Sequence, residues 1–416
     1  MSTPTSRHDA YAALRFPAFR RLITANLLLS TALLIQEVIV GYELYRLTHD
    51  PLALGLVGLA EALPFIGLAL FGGHLADRRE KTGLMQMAGA VIVAGSLLLI
   101  WATLPSTQAA LPQNTMLGIV YGSIFMLGLA RGIYSPTAGA LRPFLIPRDA
   151  YSSAASWAAT FFQAGAIAGP AIAGFLYVLF GLTGTLWVVL GMVIANIVLI
   201  GRIPRQPVPP APPGVALWAS LREGIAYVWK TRIILYAISL DMFSVLFGGV
   251  VAILPIFAED ILKVGPQGLG LLRSAPAAGA LITVIICNWY PPTRRPWRTL
   301  LIVVAGFGVS TLVFAVSEVF WLSAAALFAT GAFDSVSVVI RNTIMQTLPA
   351  EHMRGRVSSV NSIFISASNE LGAFESGLAA RLMGTVPSVL AGGVATLGIV
   401  SYIWARSRDL FKLRLS

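Results

Sequence analysis

Apolar runs of about twenty residues recur along this chain, from near its beginning to near its end. A helix of roughly 20 apolar residues is long enough to cross the ~30 Å hydrocarbon core of a bilayer. The runs therefore predict membrane-spanning helices and leave no room for a separate soluble domain. We predict twelve spans, near residues 20–46, 52–76, 83–105, 116–142, 151–180, 182–203, 232–258, 267–290, 299–316, 320–347, 357–382 and 387–405.

The composition supports the same class of protein. The chain has 416 residues, of which 56% are hydrophobic and 11% are charged. A soluble domain carries about a quarter charged residues, and a soluble fold this apolar would expose very large apolar patches. An integral membrane protein is therefore expected.

The placement of the basic residues predicts the orientation. Most of the 29 lysines and arginines fall at the two termini and in alternate loops, whereas the opposite loops keep Arg46, Lys263 and Arg381. Because loops rich in lysine and arginine stay in the cytoplasm, both termini are predicted to be cytoplasmic, in a multi-pass protein of the inner (cytoplasmic) membrane. The net charge of +11 thus reports orientation and not binding to nucleic acid.

A proline-rich stretch divides the chain. Residues 203–214 contain six prolines, which favour an extended linker, and an amphipathic segment follows that is predicted to lie along the membrane surface. The predicted organisation is a six-helix bundle at 1–203, a cytoplasmic linker with an amphipathic helix at 204–230, and a second six-helix bundle at 231–416.

The two halves resemble each other, which favours a duplicated unit. Three residues of the second span recur in the eighth at a constant offset of 212. Two six-helix repeats around a central site are typical of secondary transporters. The matched pairs are Gly58 with Gly270, Pro64 with Pro276 and Gly67 with Gly279.

Charged residues inside the predicted spans are the candidate functional residues. Burying an ion in hydrocarbon is costly, so such residues usually face a cavity or a partner. A carboxylate that alternates between an apolar environment and a nearby arginine can load and release a proton. The candidates for proton coupling or substrate binding are Glu37, Arg131, Asp241, Asp334, Arg341 and Glu370.

Structural alternatives remain open for several charged residues. Asp334 and Arg341 are seven residues apart on one helix face, so a purely structural ion pair is the alternative for them. Glu61, Arg273 and Glu43 lie near the non-cytoplasmic ends of their spans, where long side chains can snorkel. Glu375 is assigned a structural role because it cannot face the same cavity wall as Glu370.

Enzymatic and cofactor-binding signatures are missing from the sequence. No lysine follows a glycine, so there is no phosphate-binding loop for ATP. The four histidines lie at or near predicted loops, and the single cysteine, Cys287, lies in an apolar run. We therefore expect no metal, no cofactor and no enzyme. Aromatic residues such as Phe243 and Phe247 either line a pocket for an apolar substrate or serve packing.

One loop motif resembles a known family. Gly-His-Leu-Ala-Asp-Arg (73–78), after the second span, resembles the loop signature of the major facilitator superfamily, although Glu80 replaces its second glycine and Thr82 its last basic residue. The resemblance implies a gating role for Gly73, Asp77 and Arg78, which would stabilise the outward-open state. A simple topology signal is the alternative.

Further stretches resemble exporters of the same family. Gly165, Gly169, Pro170 and Gly174 in the fifth span resemble the antiporter motif, with a shifted last glycine, and small residues at this spacing also serve ordinary helix packing. Arg131 matches the arginine that the family links to proton coupling. Residues 42–64, 254–280 and 353–377 are similar to the exporter branch that includes the enterobactin exporter.

These observations together predict an all-α membrane protein with the major facilitator fold, built as two pseudo-symmetric six-helix bundles. The predicted function is proton-coupled export of small amphipathic molecules, siderophores or drugs, by a monomer in the lipid bilayer. Alternatives are an importer or lipid flippase of the same fold, and a receptor or scaffold without transport.

Overall fold

The computed structural model describes residues 9–207, 217–292 and 294–412, and gives the backbone alone for 69–74, 76, 77, 217–221 and 352. None of the described residues lies in a strand. The α-helices are α1 (Pro17–Thr48), α2 (Pro51–Arg78), α3 (Lys81–Thr103), α4 (Pro105–Ala110), α5 (Gln113–Leu141), α6 (Tyr151–Gly201), α7 (Leu217–Lys230), α8 (Arg232–Gly248), α9 (Leu254–Ile256), α10 (Gly265–Trp289), α11 (Pro296–Val316), α12 (Phe320–Thr347), α13 (Glu351–Met383) and α14 (Thr385–Arg406).

The helices account for the predicted spans. Ten helical segments of the described chain are long and apolar enough to cross a membrane. The 51-residue α6 is one of them, but Gly181 interrupts it with φ of 66°, a backbone conformation that glycine adopts without a side-chain clash. Counting the two arms of α6 separately and adding the more polar α13 gives the twelve predicted spans, so the all-α prediction is confirmed.

The seventh span is less regular than the sequence predicts. A continuous helix is expected over 232–258, but α8 ends at Gly248 and is followed by a 3-10 turn (Val250–Ile253), α9 and a π-helical turn (Phe257–Ile261). Two adjacent glycines, Gly248 and Gly249, weaken the helix at this point. Pro255 then removes a backbone donor, so the segment continues in short turns.

The described chain forms two compact units. The first contains residues up to Gln36, Gly67–Gly169 and those from Thr183 to 207. Its core buries Phe19, Leu22 and Met85 completely or nearly so. Two hydrogen bonds connect three of its helices, α6, α5 and α1. The Asn196 side-chain amide donates to the Tyr134 hydroxyl at 2.9 Å, and that hydroxyl donates to the Asn26 side-chain oxygen at 2.9 Å.

The second unit contains Glu37–Ile66, Pro170–Leu182 and the described residues from 217 onward. Its apolar core lies among α7, α8, α11, α12, α13 and α14. Trp297 is fully buried there, and its indole Nε1 donates to the Ser407 hydroxyl at 2.8 Å. The proposed boundaries of the two six-helix bundles at 1–203 and 231–416 stay a prediction.

Within the second unit, α10 and α12 approach each other closely through glycine. A Cβ atom on Gly279 would collide with the carbonyl oxygen of Phe328, and one on Gly331 would collide with the carbonyl oxygen of Pro276. Small residues let membrane helices pack at short distances, where van der Waals contact holds them together. The α10–α12 pair therefore depends on the absence of a side chain at both positions.

Replacing Gly331 with valine should push α10 away from α12. We expect a loss of about 1–3 kcal/mol in the free energy of unfolding, as for overpacked cores, measured as a lower thermal midpoint of the purified protein in detergent. Gly398→Val in α14 is the matched control, because nothing lies within 4 Å of a Cβ atom there. Equal midpoints for the two variants would contradict this account of the helix contact.

Candidate functional site

A buried carboxylate–arginine triad lies in the second unit, formed by Asp241 of α8 with Asp334 and Arg341 of α12. Arg341 Nη1 forms an ion pair with Asp241 Oδ2, and Arg341 Nη2 lies 3.8 Å from Asp334 Oδ1. The side chains of Arg341 and Asp241 are 3% and 7% exposed, whereas that of Asp334 is 45% exposed. The triad therefore has one accessible carboxylate and one enclosed carboxylate, which share one arginine.

The surroundings of the triad are largely apolar and include a small cavity. A cavity of about 10 Å³ lies against both carboxylates and is also lined by Ser244 and Ser337. This is close to the minimum volume that a single water molecule occupies. The Nε–H of Arg341 is buried, and none of the described residues accepts it. The site thus offers a donor and two carboxylates to a small polar ligand or a proton.

A second group of charges, the outer cluster, consists of Glu37, Glu61, Arg273 and Glu370 in the second unit. These four side chains line a cavity of about 60 Å³. Arg273 Nη2 forms an ion pair with Glu37 Oε1, and Arg273 Nη1 donates to the Val251 carbonyl oxygen at 3.1 Å. The Arg273 side chain is only 13% exposed, so it turns toward the carboxylates and does not snorkel.

Tyrosine hydroxyls bind carboxylates near the outer cluster, a feature that sequence reasoning missed. The Tyr42 hydroxyl donates to Glu259 Oε2 at 2.5 Å, and the Tyr45 hydroxyl donates to Asp260 Oδ2. The only sequence signal is the adjacent acidic pair at 259 and 260 in an otherwise apolar chain. These bonds fasten the end of α1 to the π-helical turn.

Glu43 belongs to the same region. It is buried, accepts a hydrogen bond from the Tyr177 hydroxyl at 2.5 Å and forms an ion pair with Arg46 at 2.8 Å. The Glu43 carboxylate therefore has its hydrogen-bond and ion-pair partners inside the protein, as a buried charge requires. It does not extend to the surface, as snorkelling would require.

The glycines of the fifth-span motif face two different helices. In the first unit, a Cβ on Gly165 would lie 2.7 Å from the Ser30 hydroxyl, and one on Gly169 would lie 3.0 Å from Leu34, so both glycines face α1. In the second unit, a Cβ on Gly174 would collide with the carbonyl oxygen of Pro266 in α10. The motif therefore serves close packing in each unit.

The remaining candidates lie apart from the triad. Arg131 is half-buried in α5 of the first unit. Pro170 lies within α6, and its carbonyl oxygen closely approaches Gly270 of α10 in the second unit. Phe243 and Phe247 stack with ring centroids 6.1 Å apart and line an apolar cleft in the second unit. Among the described residues, no group of three or more His, Cys, Asp or Glu is arranged to hold a metal ion.

The loop motif at residues 73–78 forms the last turns of α2 and is only partly described. Only the backbone is described for Gly73 and Asp77, and Arg78 is exposed at the end of α2. Glu80 is the N-cap of α3 and accepts hydrogen bonds from the backbone amides of Thr82 at 2.9 Å and Gly83 at 2.6 Å. Beside it, Lys81 lies 4.7 Å from the centre of the Phe144 ring.

Comparison with known proteins identifies the fold and shows exporters that are similar in sequence. The sequence pattern of the Major Facilitator Superfamily matches residues 22–373. The chain is 26% identical over 385 residues to the enterobactin exporter EntS of Salmonella typhimurium, covering 91% of this chain and 89% of that protein. It is 24% identical over 386 residues to EntS of Escherichia coli O1:K1, covering 92% and 89%.

Solved structures share the fold at low sequence identity. A POT family transporter in complex with 5-aminolevulinic acid aligns with a TM-score of 0.76 and 12% identity, covering 95% of this chain and 96% of that one. A D-xylose–proton symporter aligns with a TM-score of 0.72 and 12% identity, covering 96% and 100%. The twelve-span architecture is therefore shared with proteins of quite different sequence.

The Glu80 cap leads to a pH-dependent prediction. Partial burial acts to raise the pKa of Glu80, but hydrogen bonds from Thr82 and Gly83 outweigh it and hold the pKa below its usual range. The ionised Glu80 carboxylate therefore contributes its full stabilisation of the folded protein above the pKa of an unfolded glutamate, about 4.3. This contribution is lost as the pH falls through the lower pKa that Glu80 has in the folded protein. Glu80→Ala should cost about 1 kcal/mol in the free energy of unfolding at neutral pH.

Thermal unfolding in detergent across a pH series measures this loss. Asp149→Ala is the control, because Asp149 is an exposed acidic residue in another loop of the same unit. The difference between the Glu80→Ala variant and the unmodified protein should shrink in acid. A difference that is absent at neutral pH, or that grows in acid, would contradict the capping role.

Proposed function

The chain belongs to the major facilitator superfamily, and on this premise we propose that it exports small amphipathic molecules of the siderophore or drug type in exchange for protons. Family membership and the apolar helices make it a multi-pass membrane protein and a secondary transporter, not an enzyme. The exchange of protons, the direction and the substrate class are the parts that we propose.

The triad of Asp241, Asp334 and Arg341 carries the proposal of proton coupling. Two carboxylates and one guanidinium have a net charge of −1 when all are ionised, and one bound proton neutralises the group. A net charge in an apolar bundle is costly, so the triad favours either a proton or a cationic substrate group. Competition between a proton and a cationic substrate group for this one site is the proposed physical basis of antiport.

The unequal exposure of the two carboxylates suggests their roles. Asp241 is enclosed and paired with Arg341, whereas Asp334 is 45% exposed and 3.8 Å from the same arginine. Asp334 is therefore the proposed proton acceptor, because a proton can reach it without breaking the buried ion pair. When Asp334 is neutral, Arg341 and Asp241 remain a balanced pair in low dielectric.

The relatives and the packing motif support the proposed direction and substrate class. Both reported relatives are named as enterobactin exporters and align over nearly the whole chain. Gly165 and Gly169 pack closely on α1, as the antiporter motif requires of small residues. We propose a cytoplasmic-membrane location with both termini in the cytoplasm, since the basic loops favour that orientation, and we propose a monomer.

The outer cluster and Arg131 have supporting roles in this proposal. Glu37 and Glu370 lie with Arg273 around one cavity, so they are the second place where a proton or a cationic group would be held. Arg131 in α5 is the candidate counterpart in the first unit. Gly73, Asp77 and Arg78 are proposed to form the gating loop.

Asp334→Asn should uncouple transport from the proton gradient. In proteoliposomes loaded with a cationic amphipathic dye, we expect an imposed pH gradient to drive transport by the unmodified protein, whereas the variant transports at the rate seen without a gradient. Exchange of substrate across the membrane without a gradient should persist, because binding and conformational switching remain. Glu318→Gln is the control, since Glu318 is an exposed carboxylate outside the spans.

Two results would refute the proposal. Transport by the unmodified protein that is indifferent to the gradient would exclude proton coupling. Gradient-driven transport by Asp334→Asn at the unmodified rate would exclude the triad as the coupling site, and Glu37→Gln and Glu370→Gln would then be the variants to compare.

Asp77→Asn tests the gating loop separately. We expect slower substrate exchange, since the resemblance to the family motif implies that this carboxylate stabilises the outward-open state. The yield and thermal midpoint of the variant should match those of the unmodified protein. Unchanged exchange rates would show that the loop motif acts only on topology.

A further inference from the structure

An apolar cleft opens on the surface of the second unit, between α7 and the helices α8, α13 and α14. It has a volume of about 410 Å³, within the range of about 300–1,000 Å³ that is typical of small-molecule pockets. Its lining is almost entirely aliphatic and aromatic, and includes Met242, the stacked Phe243 and Phe247, and Phe364. The cleft accommodates a hydrocarbon chain without leaving buried polar groups unpaired.

The cleft is accessible from outside the protein. Trp229 of α7 and Tyr402 of α14 line it and are 68% and 60% exposed. Indole and phenol rings concentrate at the boundary between hydrocarbon and water, where an apolar ring and a polar tip are both accommodated. These two residues therefore indicate that one end of the cleft lies at the level of the lipid headgroups.

Two arginines lie at this same end of the cleft. The guanidinium of Arg232 lies 5.4 Å from the centre of the Tyr236 ring, and that of Arg406 lies 5.9 Å from the centre of the Tyr402 ring. Both rings line the cleft. Arg232 also donates to the Arg406 carbonyl oxygen, so the two arginines are held next to each other.

The rim keeps a positive charge. One carboxylate, Asp409, lies 3.2 Å from Arg232 Nη1. Arg406 is exposed as well, and two further exposed cations lie close by in the sequence, Arg408 beside Asp409 and Lys230 beside the cleft residue Trp229. A hydrocarbon cleft below a net positive rim is complementary to a molecule with an acyl chain and an anionic head.

We propose that this cleft binds an anionic phospholipid, with one acyl chain between α7 and α8 and its phosphate at Arg232 and Arg406. Basic clusters beside membrane helices attract anionic lipid headgroups, and arginine suits phosphate because its planar fork donates two hydrogen bonds. The bound lipid would fasten the amphipathic α7, which follows the linker between the two halves, to α8 and α14. The inference is independent of the transported substrate.

The contacts of α7 with α13 support the fastening role. Gly224 packs closely against the Arg356 carbonyl oxygen, at 3.1 Å from a Cβ built on the glycine, and Arg356 forms an ion pair with Glu223. One side of α7 is thus held by protein, whereas the side bearing Ile225 and Trp229 faces the cleft. A lipid chain would complete the contacts of the helix.

Quenching of Trp229 by brominated lipids tests the proposal on the full-length protein. Vesicles of phosphatidylcholine contain a minor fraction of phosphatidylglycerol, and bromine is placed on the acyl chains of one lipid or the other. The signal of Trp229 is the difference between the unmodified protein and Trp229→Phe. We expect quenching per lipid to be about tenfold stronger with brominated phosphatidylglycerol, from the attraction of the rim cations.

Variants separate the headgroup site from the chain site. Arg232→Gln with Arg406→Gln should abolish the preference for phosphatidylglycerol, whereas Ser239→Phe, which fills the cleft, should reduce quenching by both lipids. Arg294→Gln is the control, because Arg294 is an exposed cation in another loop. If the double variant does not fold, Ser239→Phe alone tests whether the lipid chain occupies the cleft.

Three outcomes would overturn the proposal. Equal quenching by both brominated lipids would show only ordinary annular lipid around Trp229. A preference that survives both the double variant and Ser239→Phe would place the lipid elsewhere. Relief of the quenching by enterobactin would identify the cleft as a substrate site. None of these results depends on whether protons drive transport.

Discussion

The guanidinium of Arg341 is the charge on which the arrangement of the second unit depends most. It is 3% exposed in a membrane helix, where an uncompensated charge would cost several kcal/mol. Its two carboxylate neighbours come from different helices, Asp241 from α8 and Asp334 from α12. The same ion pair that makes the arginine tolerable therefore fixes the approach of two helices and creates a group of charges with one carboxylate in excess.

Glycine at the helix contacts makes this arrangement possible. Gly279 and Gly331 bring α10 and α12 together at distances that no side chain permits, so α12 is placed by backbone contact on one side and by the ion pair to α8 on the other. Short backbone distances leave little freedom for the positions of Asp334 and Arg341. Apolar packing thus positions the backbone from which the three charged side chains extend toward one another.

The sequence predicts the fold well and the site only in part. Hydrophobic length locates the spans because each membrane helix satisfies its own backbone, and a local pattern is enough for that. The partners of the charged residues cannot be located in the same way. Glu37 pairs with Arg273 across 236 positions of the chain, and no local pattern encodes such a distance. The pairs of Tyr42 and Tyr45 with Glu259 and Asp260 were missed for the same reason.

Glu80 shows how a departure from a family pattern can preserve a physical function. The family motif has glycine at this position, and this chain has a glutamate whose carboxylate receives the first amides of α3. At the N-cap of a helix, replacing a serine, threonine, asparagine or aspartate with glycine costs only a few tenths of a kcal/mol, so glycine and acceptor side chains are both found there. Replacing Glu80 with glycine would therefore keep a residue that is favourable at the start of α3, but it would remove the negative charge that lies beside the first amides of the helix.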